Sequence, residues 1–67
     1  MTSALDIYRS AKLLVDRHGD EAPIFAAMEA DAMLDKGDLD GQAVWLRILK
    51  AVENMLTDKP GDGETVH

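Results

Sequence analysis

Apolar side chains recur every three or four residues along most of the chain, which is the period of an amphipathic helix. Two Gly-Asp dipeptides, Gly19-Asp20 and Gly37-Asp38, interrupt this pattern, and Pro60-Gly61 ends it. A glycine commonly terminates one helix, and an aspartate caps the start of the next. Ser3 followed by Asp6 is typical of a cap on the first helix, and Gly37 is expected to adopt a positive φ. Gly41, on the apolar side of the third helix, is expected to allow a close backbone approach. The predicted boundaries are helices over about 3–18, 20–36 and 38–57, in one domain over 1–57, followed by a disordered, flexible tail over 58–67.

The three helices predict an all-α fold, a small three-helix bundle of up-down-up order. The first helix carries one continuous apolar stripe, and the third carries the broadest apolar arc, which places it centrally against both others. Side chains from all three stripes are expected in the core: Ile7, Leu14, Ala30, Trp45, Ile48 and Val52.

The second helix has two apolar faces, one of them rich in alanine. A monomer of three helices buries one face of each helix easily but not two, so the second face predicts an interaction surface. Isolated leucines on otherwise polar faces of the other helices extend the set of candidates. The predicted interaction face comprises Phe25, Met28, Ala32, Leu13 and Leu46. The alternative is that Phe25 folds over the edge of the bundle and the leucines are ordinary surface residues.

Composition narrows the classes of function. The 67 residues include no cysteine, which excludes disulfides, thiol nucleophiles and cysteine-based zinc sites. The net charge is −6, with about −4 on the second helix, which disfavours nucleic acid and anionic membranes as partners. No apolar run is long enough to span a bilayer, and no signal peptide is evident, so we expect a cytoplasmic protein.

Two segments were tested for metal chemistry. Asp38-Leu39-Asp40-Gly41 imitates the middle of an EF-hand loop, but that alignment puts Lys36 and Arg47 where carboxylates must bind calcium. The segment is therefore interpreted as a helix junction. His18 falls on the apolar stripe of the first helix. With neighbouring carboxylates it is a weaker candidate for a metal or hydrolytic site, against a structural role in which it packs on the core at the end of that helix. No metal, cofactor or catalytic residue is predicted.

A set of residues around the two junctions resembles a group of short bacterial helical proteins. The set is His18-Gly19-Asp20-Glu21-Ala22-Pro23, Ala30-Asp31, Gly37-Asp38-Leu39-Asp40-Gly41, Trp45 and Ile48. The group is mostly alphaproteobacterial and of unknown function. The resemblance implies a bacterial cytoplasmic setting, and it implies no activity, cofactor or site residue.

These observations predict a protein that is not an enzyme but a protein-interaction module. Its partner is either another protein or a second copy of the chain, as in a homodimer. The alternative in a different class is a regulator of nucleic-acid machinery, acting by DNA contact or by acidic mimicry of nucleic acid. DNA contact would use four polar residues of the third helix, Gln42, Arg47, Lys50 and Asn54.

Overall fold

The computed structural model describes residues 3–57, and these residues are almost entirely helical. Helix α1 spans Ala4–His18, a turn of 3-10 helix spans Gly19–Glu21, α2 spans Ala22–Asp35 and α3 spans Leu39–Thr57. No strand occurs within 3–57, so the predicted all-α class is confirmed. The predicted tail over 58–67 lies outside the described residues.

Helix α1 begins at a side-chain cap. Ser3 has an extended backbone, and its hydroxyl accepts a hydrogen bond from the Asp6 amide at 3.1 Å. The carboxylate of Asp6 stands in the first turn, where it complements the positive end of the helix dipole. The predicted cap at Ser3 is therefore confirmed.

The junction between α1 and α2 differs from the prediction that Asp20 caps the second helix. Gly19 ends α1 with a φ of 59°, and its amide donates to the Val15 carbonyl. The following 3-10 turn delays α2 until Ala22. A cap at residue 20 would require amide donors two and three residues later. Pro23 has no N–H, and the Ala22 amide donates to the carbonyl of Gly19.

The junction between α2 and α3 is a complete C-terminal cap joined directly to an N-cap. The Gly37 amide donates to the Leu34 carbonyl and the Asp38 amide to the Met33 carbonyl, both at 2.9 Å. This crossed pair is the Schellman motif, and it requires the positive φ of 79° seen at Gly37. The Asp38 carboxylate then accepts the Gly41 amide at 2.8 Å, so Asp38 caps α3 as predicted.

Gly41 lies in the first turn of α3, where the absence of a side chain makes room for the cap. A Cβ at this position would lie 2.6 Å from Asp38 Oδ2 and 2.9 Å from the Met33 sulfur. The close approach expected at this glycine is therefore to the capping carboxylate and Met33, rather than to the backbone of another helix.

The core lies where α3 packs against both other helices, while α1 and α2 touch each other little. Its buried members include five of the six predicted residues, Ile7, Leu14, Ala30, Ile48 and Val52, together with Ala11, Ala22 and Ala26. The sixth, Trp45, is only half-buried and packs against the core from its edge. The size of the indole ring explains this, because tryptophan is rarely enclosed completely in so small a domain.

Replacing Gly37 by alanine is expected to lower the free energy of unfolding by about 1 kcal/mol or more, because alanine disfavours a positive φ. No heavy atom lies within 4 Å of a Cβ built at Gly37, so the loss would come from the backbone and not from a clash. Asparagine tolerates this conformation better. Urea denaturation should therefore rank glycine above asparagine and asparagine above alanine, and equal stability of the two variants would contradict the assignment.

Asp38 and Gly41 are expected to be energetically coupled. Asp38→Ala should cost about 1 kcal/mol through the lost cap. Gly41→Ala should be neutral or destabilising in the parent chain, since the new methyl group displaces the capping carboxylate. In the Asp38→Ala background, Gly41→Ala should instead stabilise the protein by part of the ~1 kcal/mol by which alanine exceeds glycine in helix propensity. A double-mutant cycle by thermal unfolding measures this coupling, and strict additivity would show that the methyl group leaves the cap in place.

Candidate interaction surface

The five residues of the predicted interaction face lie on all three helices and differ in their exposure. Leu13, Met28 and Leu46 are exposed, on α1, α2 and α3 respectively, whereas Phe25 and Ala32 are half-buried. Of these five, Phe25 and Met28 line a common groove. Helix α2 therefore keeps two apolar faces. Of the two large side chains on its second face, however, Phe25 is already packed within the chain itself.

Phe25 belongs to an aromatic line at the edge of the core. Its ring meets the His18 ring edge-on, with centroids 4.6 Å apart and planes at 86°. On its other side, the Trp45 ring lies 6.4 Å away. Phe25 also packs against the buried cluster. The alternative in which Phe25 folds over the edge of the structure therefore describes its position better than a free contact residue does.

An open groove runs beside this aromatic line, where the end of α1 meets the start of α2. It has a volume of about 470 Å³ and is lined by His18, Glu21, Ile24, Phe25 and Met28. We call it the α2 groove. Ile24 and Met28 are 63% and 65% exposed, the latter value being the highest among the large apolar side chains described. Most of their apolar surface therefore faces water.

Sequence reasoning missed Ile24 as a surface residue. The spacing of Ile24 indicates this position, because it precedes Met28 by four residues and so lies on the same face of α2. His18 was placed on the apolar stripe of α1, yet the structure leaves it exposed and in contact with Phe25 instead of the core. The 3-10 turn separates α1 from α2 in the chain, and it is at this turn that His18 comes to lie beside the first turn of α2.

The fully buried residues of α2 are small, whereas three of its large apolar residues are exposed. Its buried members are all alanines, at positions 22, 26 and 30. Ile24, Met28 and Leu34 are exposed on the same helix. A helix that served only the core would place its largest apolar side chains inside, because their burial contributes most to stability. The outer face of α2 therefore carries apolar area that the described part of the chain does not bury.

Two other grooves border α1 and α3. One, of about 430 Å³, is lined by Tyr8, Ala51, Asn54 and Met55. The other, of about 250 Å³, includes Arg47, Lys50 and Asn54, which are three of the four polar residues that favoured DNA contact. The fourth, Gln42, is half-buried and does not line it. This groove thus offers two cations to a phosphate backbone.

No cluster of three or more histidine, aspartate or glutamate side chains within 3–57 has the geometry to hold a metal ion. Asp38 and Asp40, the residues of the loop that imitated an EF-hand, stand at the cap and in the first turn of α3. No polar or charged side chain of this part of the chain is buried.

None of the described helices has the length and the apolar character that crossing a membrane requires. A scan against family models, a search of curated proteins and a search of solved structures give no match to this chain. The resemblance to short bacterial proteins therefore stays a prediction from the residues around the two junctions.

Exchanging Met28 for aspartate is expected to change the free energy of unfolding by less than about 1 kcal/mol, because Met28 is exposed and the cost is mainly helix propensity. Phe25→Asp should cost several times more, since it places a charge against the core and removes both ring contacts. Urea denaturation of the two variants tests this difference. Equal losses would mean either that Met28 is buried or that Phe25 contributes no packing.

Proposed function

We propose that this chain is a three-helix bundle of up-down-up order and that it works as a non-enzymatic protein-interaction module in the cytoplasm. The short connections support the topology, because helices joined by a few residues and packed on one another run antiparallel. Helix α3 packs against both other helices, as the central member of such a bundle does.

The observation that carries the proposed function is the orientation of α2. Alanines fill its buried face, whereas Ile24 and Met28 stand more than half exposed in the α2 groove. Apolar side chains gathered in one groove mark a site for another molecule more often than the same residues scattered singly. The arrangement of Phe25 supports this reading, since its contacts with His18 and Trp45 give the groove a wall held by the fold.

Nucleic-acid contact is less well supported than protein binding. The groove of Arg47 and Lys50 offers two cations, against a net charge of −6 for the chain. Binding to a phosphate backbone depends on the release of counterions by clustered cations. The charge therefore favours a protein partner.

The proposed function is tested by affinity capture from a lysate of the organism that encodes the chain. We expect proteins held by the parent chain to be lost with Met28→Asp and retained with Leu5→Asp. Leu5 is a matched control because it is exposed and lies about 20 Å from His18 along the axis of α1. Sedimentation of the purified chain detects a second copy as the partner. A chain that captures nothing and stays monomeric, or that loses its partners equally in both variants, would contradict the proposal.

A further inference from the structure

We propose that the α2 groove binds a basic amphipathic helix of a partner protein, with the helix lying along α2. This inference rests on the proposed function and adds the chemistry of the partner to it.

The exposed face of α2, together with Glu21 at the end of the preceding 3-10 turn, carries a stripe with a regular order of side chains. Its members follow one another at intervals of three, four, three and four residues: Glu21, Ile24, Met28, Asp31 and Asp35. All of them are exposed. This interval is the one at which side chains of a helix line up along a seam with a second helix. We call this set the α2 stripe.

Apolar side chains occupy the middle of the α2 stripe. Ile24 and Met28 stand one turn apart, and Phe25 provides the wall of the groove beside them. Methionine adapts its shape to different partners, which suits a surface that accepts a helix. An amphipathic helix would place two apolar side chains, one turn apart, against this pair.

Acidic side chains occupy both ends of the α2 stripe. Glu21 precedes the apolar pair, and Asp31 and Asp35 follow it. The one cation in the sequence of α2 and its two flanking residues is Lys36, which lies outside the stripe. The complementary partner therefore carries lysine or arginine on either side of two apolar residues, again at intervals of three and four.

Charge also decides between such a partner and a second copy of the chain. Two α2 stripes packed antiparallel about their apolar pairs would bring Asp31 of one copy toward Glu21 of the other. Like charges at these positions oppose association at low salt, and screening relieves that repulsion. A basic helix and a second copy therefore differ in the sign of their salt dependence.

The test uses a synthetic helical peptide with Lys, Leu, Leu, Lys and Lys at the intervals of the α2 stripe in an alanine and glutamine background. A peptide with glutamate in place of each lysine is its control. Trp45 reports binding, because it is the single tryptophan of the chain and its ring lies 6.4 Å from Phe25. We expect the lysine peptide to bind and its dissociation constant to rise several-fold as salt increases.

Two pairs of variants separate the contributions of charge and apolar contact. Asp31→Asn with Asp35→Asn should weaken binding several-fold at low salt and flatten the salt dependence. The charge-matched control, Asp16→Asn with Glu53→Gln, should change neither the binding nor its salt dependence. Ile24→Gln with Met28→Gln should weaken binding about tenfold at every salt concentration, whereas Leu5→Gln with Tyr8→Gln, two exposed positions on α1, should leave it unchanged. Circular dichroism verifies that each variant is folded.

Absence of binding by the lysine peptide would overturn the inference, as would equal binding of the glutamate peptide or equal losses in the control variants. Self-association that strengthens with salt and is abolished by Ile24→Gln with Met28→Gln would assign the groove to a second copy instead. The proposed function is judged separately by lysate capture. If Met28→Asp abolishes the capture of partners but the parent chain does not bind the lysine peptide, the proposed interaction module stands. Only the inference that its partner is a basic helix would then be wrong.

Discussion

The three residues between α2 and α3 set the geometry on which the rest of the structure depends. Gly37 accepts the left-handed conformation that closes the end of α2, and Asp38 immediately caps the start of α3. One residue, Asp38, therefore closes the Schellman motif through its amide and begins the next helix through its carboxylate. Because the junction is so short, α2 turns back and packs along α3.

Packing along α3 explains why the buried face of α2 consists of alanines. Two helices joined by a tight turn lie close together, and Ala22, Ala26 and Ala30 have no side chain beyond Cβ to keep them apart. The larger residues that fill the remaining core, including Ile7, Leu14, Ile48 and Val52, come from α1 and α3. In this arrangement Ile24, Met28 and Leu34 of α2 remain exposed.

The same arrangement links the fold to the surface proposed for binding. The face of α2 opposite its alanines carries Ile24 and Met28, while Phe25 between them turns toward Trp45 and the core. Because packing holds Phe25 in position, the wall of the groove is formed without a ligand. Binding of the proposed partner would therefore cost little free energy for ordering this wall. In the proposed complex, the acidic residues at both ends of the α2 stripe would restrict which helices can enter the groove.

The sequence by itself determined the all-α class, the caps at Ser3 and Asp38, the left-handed Gly37 and most of the core, because these depend on local spacing and capping chemistry. It did not determine the start of α2, because in the folded chain the Ala22 amide bonds to the Gly19 carbonyl within a 3-10 turn and α2 begins only at Ala22. It also could not separate Phe25 from Met28. Both lie on the second apolar face of α2, and only the positions of His18 and Trp45 in the folded chain decide that one packs against the core while the other faces water.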